Sequence, residues 1–392
     1  MKKWNILHRQ EPSRNDLMES MSIPEEIGQI LLNRGVETQD QVKMFTDPSL
    51  KYLRDPFQLK DMDRAVERMR RAISENEKIW IFGDYDVDGV SSTSIMILYF
   101  KSIGYPVDYY IPNRLEEGYG LNTEAIDHIA SKDGSLIITV DCGITSVKEV
   151  DYAKDLGIDV IITDHHECQE KLPDAYAVVD PKRDDSSYPF EGICGCGVAF
   201  KLIHALSGNE EFYRNINRYL EIVSLATICD IMPILDENRI IAKNGMEILG
   251  QGNNLGMQAL LEVCGLDGTK IKSSHLGFAI GPRINASGRL GFSKLGVELF
   301  TSDSLEEAKS LALMMDSKNT ERQEVEARIH MEVEDILSKD TSYRDDKVLV
   351  ISGKDWHHGI IGIGYRKILQ ALYTSLSGWG YGCWICKVHK GL

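Results

Sequence analysis

The sequence predicts an α/β protein built on a parallel sheet with helices on both faces. Three observations predict it. From Lys78 onward, short apolar segments alternate with helical segments of about ten residues, which is the signature of successive βα units. Several of those segments read as buried strands. Acidic and histidine residues stand directly after three of them, where parallel sheets place their ligands.

The elements follow in order. Residues 1–60 read as an arm with short helices, punctuated by Pro24, Pro48 and Pro56. Lys78–Phe82 is a short apolar strand and Ser91–Gly104 a helix, with Gly104 as its stop. Val107–Ile111 is a strand and Thr123–Ser131 a helix. Ser135–Val140 is a buried strand followed by the helix Ser146–Leu156. Asp159–Thr163 is a second buried strand, and Ala177–Val179 a further short one. After about Gly197 the chain turns helical, through Val198–Ser207 and Asn217–Ile228. A long charged helix runs over Ser304–Leu337, and Lys347–Ser352 opens a second strand-containing unit. The last 29 residues, Gly364–Leu392, hold no Asp or Glu although the whole chain has 60. That break in composition is expected of a frameshifted or misassembled end.

Composition bounds the function. Of 392 residues, 43% are apolar and 27% charged, as in ordinary globular proteins able to bury a core. The start carries no apolar run behind Lys2 and Lys3, and no stretch reaches the roughly 20 apolar residues of a membrane span. A cytoplasmic protein with no membrane contact is expected. Eight cysteines in a chain this long are too sparse for a disulfide framework. The net charge of −16 disfavours coating of nucleic acid by bulk electrostatics. It leaves room for a site where carboxylates hold cations and local arginines grip phosphate.

Asp84, Asp86 and Asp88, in the run Asp84–Gly89, lie between the first strand and its helix. Three carboxylates in five residues repel one another unless cations intervene, and oxygen-rich clusters suit Mg²⁺ or Mn²⁺. A polar turn and an EF-hand calcium loop are the rival readings. The EF-hand lacks its closing Glu, since Ile95 stands there. Asp141 ends the strand Ser135–Val140, where it either caps a helix or joins a metal site. Asp164, His165 and His166 follow Asp159–Thr163, and imidazole suits Mn²⁺ or acid catalysis. Asp230 follows an apolar helix. Arg283, Asn285 and Arg289 lie in a stretch, Gly281–Leu290, that reads as a glycine-bounded loop able to clamp phosphate. Trp356, His357 and His358 stand near a glycine turn.

Together these segments resemble the DHH phosphoesterase superfamily and, within it, the RecJ exonucleases. The naming triplet is Asp164-His165-His166. GDYDVDGVSST (Gly83–Thr93) and VDCGI (Val140–Ile144) are similar to the first motifs. GVAFKL (Gly197–Leu202), CDIMPI (Cys229–Ile234) and PRINASGRL (Pro282–Leu290) are similar to later ones. LLNRGV (Leu31–Val36) and Asp55–Ile73 resemble the RecJ N-terminal region, and WHHGIIGI (Trp356–Ile363) the start of a DHHA1-type domain. Phe82 departs from the pattern, since many members carry His there. The tail after Ile363 departs as well. Cys383, Cys386 and His389 in it invite a zinc reading but lack a fourth ligand.

The resemblance implies an arm at 1–60, a DHH domain at 61–240, a helical region and connecting helix at 241–340, an incomplete DHHA1-type domain at 341–363 and an atypical tail at 364–392. It implies two divalent cations, Mn²⁺ or Mg²⁺, with Asp84, Asp86, Asp88, Asp141, His165 and Asp230 as ligands and Asp141 between them. His166 and Asp141 would serve catalysis. Arg283, Asn285, Arg289 and His357 would hold substrate. The implied activity is 5′→3′ hydrolysis of single-stranded DNA to 5′-mononucleotides in DNA repair and recombination, alongside a single-strand-binding protein and a helicase. Hydrolysis of short oligonucleotides or cyclic dinucleotides is the alternative within the superfamily. An inactive fragment or a non-catalytic nucleic-acid-binding scaffold is the alternative outside it, and an unfinished second domain predicts weak processivity.

Overall fold

The computed structural model describes residues 23–114, 116–339 and 351–362. Its centre is a five-stranded sheet: β1 (Ile79–Gly83), β2 (Asp108–Tyr110), β3 (Leu136–Val140), β4 (Asp159–Thr163) and β5 (Ala177–Val179). The order is β2-β1-β3-β4-β5, and every pairing is parallel. The α/β class and the strand positions agree with the sequence reading. β2 is shorter than expected, as suits an edge strand with one neighbour.

Side chains alternate between two cores, because successive residues of a strand face opposite sides. Ile79, Ile81, Leu136, Ile138, Val140, Ile161 and Val179 pack on one face, under the helices Met62–Glu75, Val87–Ser102 and Gly195–Asn215. Trp80, Phe82, Ile137, Val160, Ile162 and Val178 pack on the other, under Thr123–Ala130 and Val147–Asp155. Phe82, at the position where family members carry His, stacks on Tyr110 in this second core.

The helix after β1 begins at Val87, four residues earlier than expected. Asp86 caps it, its Oδ1 accepting from the N–H of Asp88 at 2.8 Å and of Gly89 at 3.1 Å. An N-cap carboxylate satisfies donors that would otherwise be orphaned. The helix is buried nearly all round despite its run of hydroxyls. Ser92, Thr93 and Ser94 return their protons to carbonyls one turn back, at 2.7–2.8 Å. Gly83 lets it approach the strand, since a Cβ there would lie 2.0 Å from Thr93 Oγ1.

The stretch Gly281–Arg289 is a helix and not the loop expected of it. Two glycines and a proline suggested a loop, but Pro282 sits in the first turn, where its missing N–H has no helical partner to lose. Leu305–Lys339 is the long helix. Its Ile329 and Val333 pack with Ile351, Trp356 and Ile360 into a small separate core. Of the strand expected at Lys347–Ser352, the first four residues lie outside the described residues, as do Cys383, Cys386, His389 and the tail from Ile363. Among the described residues no helix is long and apolar enough to cross a membrane.

Candidate metal centre

The sheet register builds the site. Gly83, Val140, Thr163 and Val179 are mutual partners along one row across β1, β3, β4 and β5. The next residue of each strand is therefore Asp84, Asp141, Asp164 and Asp180, four aspartates at adjacent carboxyl ends. β1 and β3 are neighbours whose following connections leave in opposite directions, to β2 and to β4. That is the switch point where open α/β sheets form a crevice. All four aspartates are 3% exposed or less.

Their geometry divides into overlapping sets. Ligand atoms of Asp84, Asp86 and Asp141 lie within 4.8 Å of one another, as do those of Asp88, His165 and Asp230, and those of Asp141, His165 and His166. His165 Nε2 stands 3.2 Å from Asp141 Oδ1, 3.6 Å from Asp88 Oδ2 and 3.7 Å from Asp230 Oδ2. Asp84 Oδ1, Asp141 Oδ1 and Asp230 Oδ2 are buried without a hydrogen-bond partner. Asp141 Oδ1 and His165 Nε2 are thus close without being aligned as donor and acceptor, and both face the same space. Buried oxygens left unpaired are expensive. A hard divalent cation satisfies several together, so the donor set fits one.

Three devices hold the acids in place. Asp141 has a left-handed backbone, φ 61°, which Asp tolerates better than most residues. Asp88 accepts from Gly195 N at 2.7 Å and Cys196 N at 2.9 Å, at the start of the helix Gly195–Asn215. Gly195 must lack a side chain, because a Cβ there would meet Asp141 Oδ1 at 2.5 Å.

Burial together with neighbouring carboxylates pushes Asp84 and Asp230 up to about 7. The same causes raise Asp86, and Asp141 well above the usual carboxylate range. Burial lowers His165, which favours the neutral, ligating imidazole. Asp164 behaves differently. Burial works against its charge, but His166 and the N–H groups of Ile144 and His165 overcome this and lower it. Its Oδ1 accepts from His165 N at 2.8 Å and sits 2.7 Å from His166 Nδ1. That contact raises His166.

Beside the acids opens a cavity of about 280 Å³, lined by Asp84, Tyr85, Asp86, Arg114, Tyr119, Asn285 and Arg289. Asn285 accepts from Val87 N at 3.2 Å, tying its helix to the first motif. Arg289 donates to the Gly359 carbonyl at 2.9 Å. Arg283 does not reach this cavity. Its guanidinium is held by Asp316 at 2.8 Å and by the Ala279 carbonyl at 2.6 Å. Six residues on a helix turn the side chain about 240° from Arg289, whereas Asn285 and Arg289, four apart, share a face. The expected pairing of Arg283 with Arg289 as one clamp is corrected accordingly. His357 does not line the cavity either, and its Nδ1 accepts from Gly359 N at 3.2 Å.

The sequence reading passed over Arg114, Tyr119 and Asp180. Arg114 lies 4.9 Å over the Tyr85 ring, and the Tyr119 hydroxyl is 3.3 Å from both His166 Nδ1 and the Asp141 carbonyl oxygen. Arg114 follows β2 and Asp180 follows β5, so strand-end position was the available signal.

A family model described as "DHH family, N-terminal domain" matches residues 78–227. The chain is 38% identical to the single-stranded-DNA-specific exonuclease RecJ of Bacillus subtilis (strain 168), over 95% of this chain and 46% of that protein. It is 36% identical to the exonuclease of the same name from Escherichia coli (strain K12), over 93% and 65%. A crystal structure of exonuclease RecJ bound to manganese superposes with a TM-score of 0.71 at 31% identity, covering 80% of this chain and 78% of that one. The chain spans about half to two thirds of the length of these curated relatives.

Proposed function

The chain belongs to the RecJ family of DHH phosphoesterases, and from that premise we propose that it is a divalent-cation-dependent exonuclease releasing 5′-mononucleotides from single-stranded DNA. The observation that carries the reading is the set of unpartnered buried oxygens on Asp84, Asp141 and Asp230 around His165 Nε2. Asp84 and Asp86 would hold one Mn²⁺ or Mg²⁺; Asp88, His165 and Asp230 would hold the other, with Asp141 shared. Such a pair, when bound, supplies water activation and charge neutralisation at the attacking and leaving oxygens.

The chain's own groups do the rest. Arg114, Arg289 and Asn285 line the cavity beside the acids and suit a phosphate of the substrate. Asp164 keeps His166 protonated to a higher pH, so His166 can donate a hydrogen bond or a proton to the departing oxygen. The Tyr119 hydroxyl approaches the same ring nitrogen, Nδ1, at 3.3 Å. Residues 61–240 would carry this chemistry, and 341–363 would begin the second domain. The cytoplasm would be the compartment, with a single-strand-binding protein and a helicase as partners.

The test is digestion of end-labelled single-stranded DNA with Mn²⁺, set against dinucleotides and against Asp141→Ala. Mononucleotide release from the strand, absent in the variant and in chelator, is expected. Faster turnover of dinucleotides than of the strand would overturn the substrate assignment.

A further inference from the structure

Asp230 differs from the other residues of the centre. Asp84, Asp141 and His165 ride on strand ends, and Asp88 is held by two N–H groups. Asp230 stands at the end of the helix Asn217–Cys229, and its inward Oδ2 has no hydrogen-bond partner. Its direction must therefore come from its backbone, which the last turn of that helix holds on one side, through the Asp230 N–H to the Ala226 carbonyl at 2.9 Å, and the loop Ile231–Leu235 on the other. That loop is tense. Ile231 has φ 58° and Asp236 φ 45°, left-handed values that a β-branched residue in particular resists. Something beyond the loop has to hold it.

The anchor comes from the N-terminal segment. Arg54 Nε and Nη2 donate to the two oxygens of Asp236 at 2.9 and 2.6 Å. The Arg54 N–H donates to Glu237 Oε1 at 2.9 Å, and its carbonyl accepts from Lys201 Nζ. Lys201 and Glu237, only 2% and 1% exposed, pair at 2.8 Å, and the Tyr188 hydroxyl donates to the second Glu237 oxygen. Asn238 then ties the loop itself, donating to the Pro233 carbonyl at 3.0 Å and the Gly192 carbonyl at 2.5 Å. Lys201 sits on the helix whose first residues cradle Asp88. The network thus joins the support of Asp88 to the support of Asp230. Neither Arg54, Lys201 nor Glu237 is within the cavity or the acidic cluster.

We propose that Arg54 is a positioning residue: by clamping Asp236 it fixes the Ile231–Leu235 loop and so aims Asp230 at the cation held with Asp88 and His165. The proposal rests on the two-cation reading above. It predicts a selective effect, since the Asp84–Asp86–Asp141 set does not depend on this loop.

The experiment is calorimetric Mn²⁺ titration of the wild-type chain, Arg54→Ala and Arg54→Lys, with circular dichroism to confirm folding and steady-state kinetics on single-stranded DNA. Wild type is expected to bind two ions. Arg54→Ala should keep one at native affinity and weaken the other by about tenfold or more, as loss of outer support does at metal sites. Its kcat should fall with little change in KM, recover in excess Mn²⁺, and recover partly in Arg54→Lys. If Arg54→Ala does not fold, Asp236→Asn is measured in the same way. Two ions at native affinity in a folded variant, or a kcat loss that excess Mn²⁺ does not repair, would overturn the proposal alone. Failure of the wild type to bind Mn²⁺ would overturn the two-cation reading with it.

Discussion

His165 Nε2 and Asp141 Oδ1 approach to 3.2 Å across the ends of β4 and β3 without forming a hydrogen bond. The two share one set of candidate ligands with His166; His165 also meets Asp88 and Asp230, and Asp141 also meets Asp84 and Asp86. On the proposed reading Asp141 would be shared by the two cations, and four expected outcomes follow from the arrangement.

Asp141→Asn should separate activity from stability. Losing the shared carboxylate removes transition-state charge stabilisation, so turnover should fall on the order of 10³-fold. The metal-free protein should melt higher than wild type, because a buried acid crowded by Asp88, Asp86 and Asp84 has been neutralised. Nuclease assays and melting curves on the same preparation check both halves.

Chelation should destabilise, and more so at high pH. Asp84 and Asp230 titrate near 7 when folded and in the usual carboxylate range when unfolded. Between about pH 4 and 7 the folded state therefore holds protons that the unfolded state has released, and stability falls as pH rises through that window. Above it the metal-free protein should sit a few kcal/mol lower, order of magnitude, than at pH 4. Millimolar Mn²⁺ at pH 8 should restore the melting temperature. A melting temperature that ignores both pH and metal would contradict the assigned electrostatics.

Asp164→Asn should move the pH profile. The wild-type Asp164 carboxylate raises His166 through a 2.7 Å contact. Without it His166 loses its proton at lower pH. The alkaline limb of kcat should shift toward acid, with a rate loss of about 10–100-fold near pH 8. An unmoved limb would remove His166 from the proton-transfer role.

Arg289→Ala and Arg283→Ala should act differently. Arg289 lines the cavity, so its loss should raise KM about 10–100-fold and reduce the salt dependence of binding by about one phosphate contact. Arg283 bonds Asp316 and the Ala279 carbonyl, so its loss should lower the melting temperature and leave KM near wild type. Equal KM effects would restore the sequence-based pairing of the two.

The fold was legible because its period is local. Apolar runs such as Ser135–Val140 and Asp159–Thr163 announce buried strands, and glycines such as Gly104 end helices. The acids were legible because strand-end position repeats, which placed Asp84, Asp141 and His165 correctly in one region. The loop reading of Gly281–Leu290 failed because composition outweighed packing. Once Asn285 and the backbone of Gly288 are pressed against the first motif, helix is the conformation that satisfies the chain.

The sequence by itself determined the α/β class, the acidic character of the site and which side chains are its candidate ligands. Those depend on hydrophobic periodicity and on which side chains end each strand. Tertiary structure alone decided which carboxylates converge, that Arg114 and Arg289 flank the cavity while Arg283 turns away, and that Arg54 clamps Asp236, beyond the loop that follows Asp230, from a distant part of the chain. Those outcomes depend on strand register and helix rotation, through which residues far apart in sequence come within a hydrogen bond of each other.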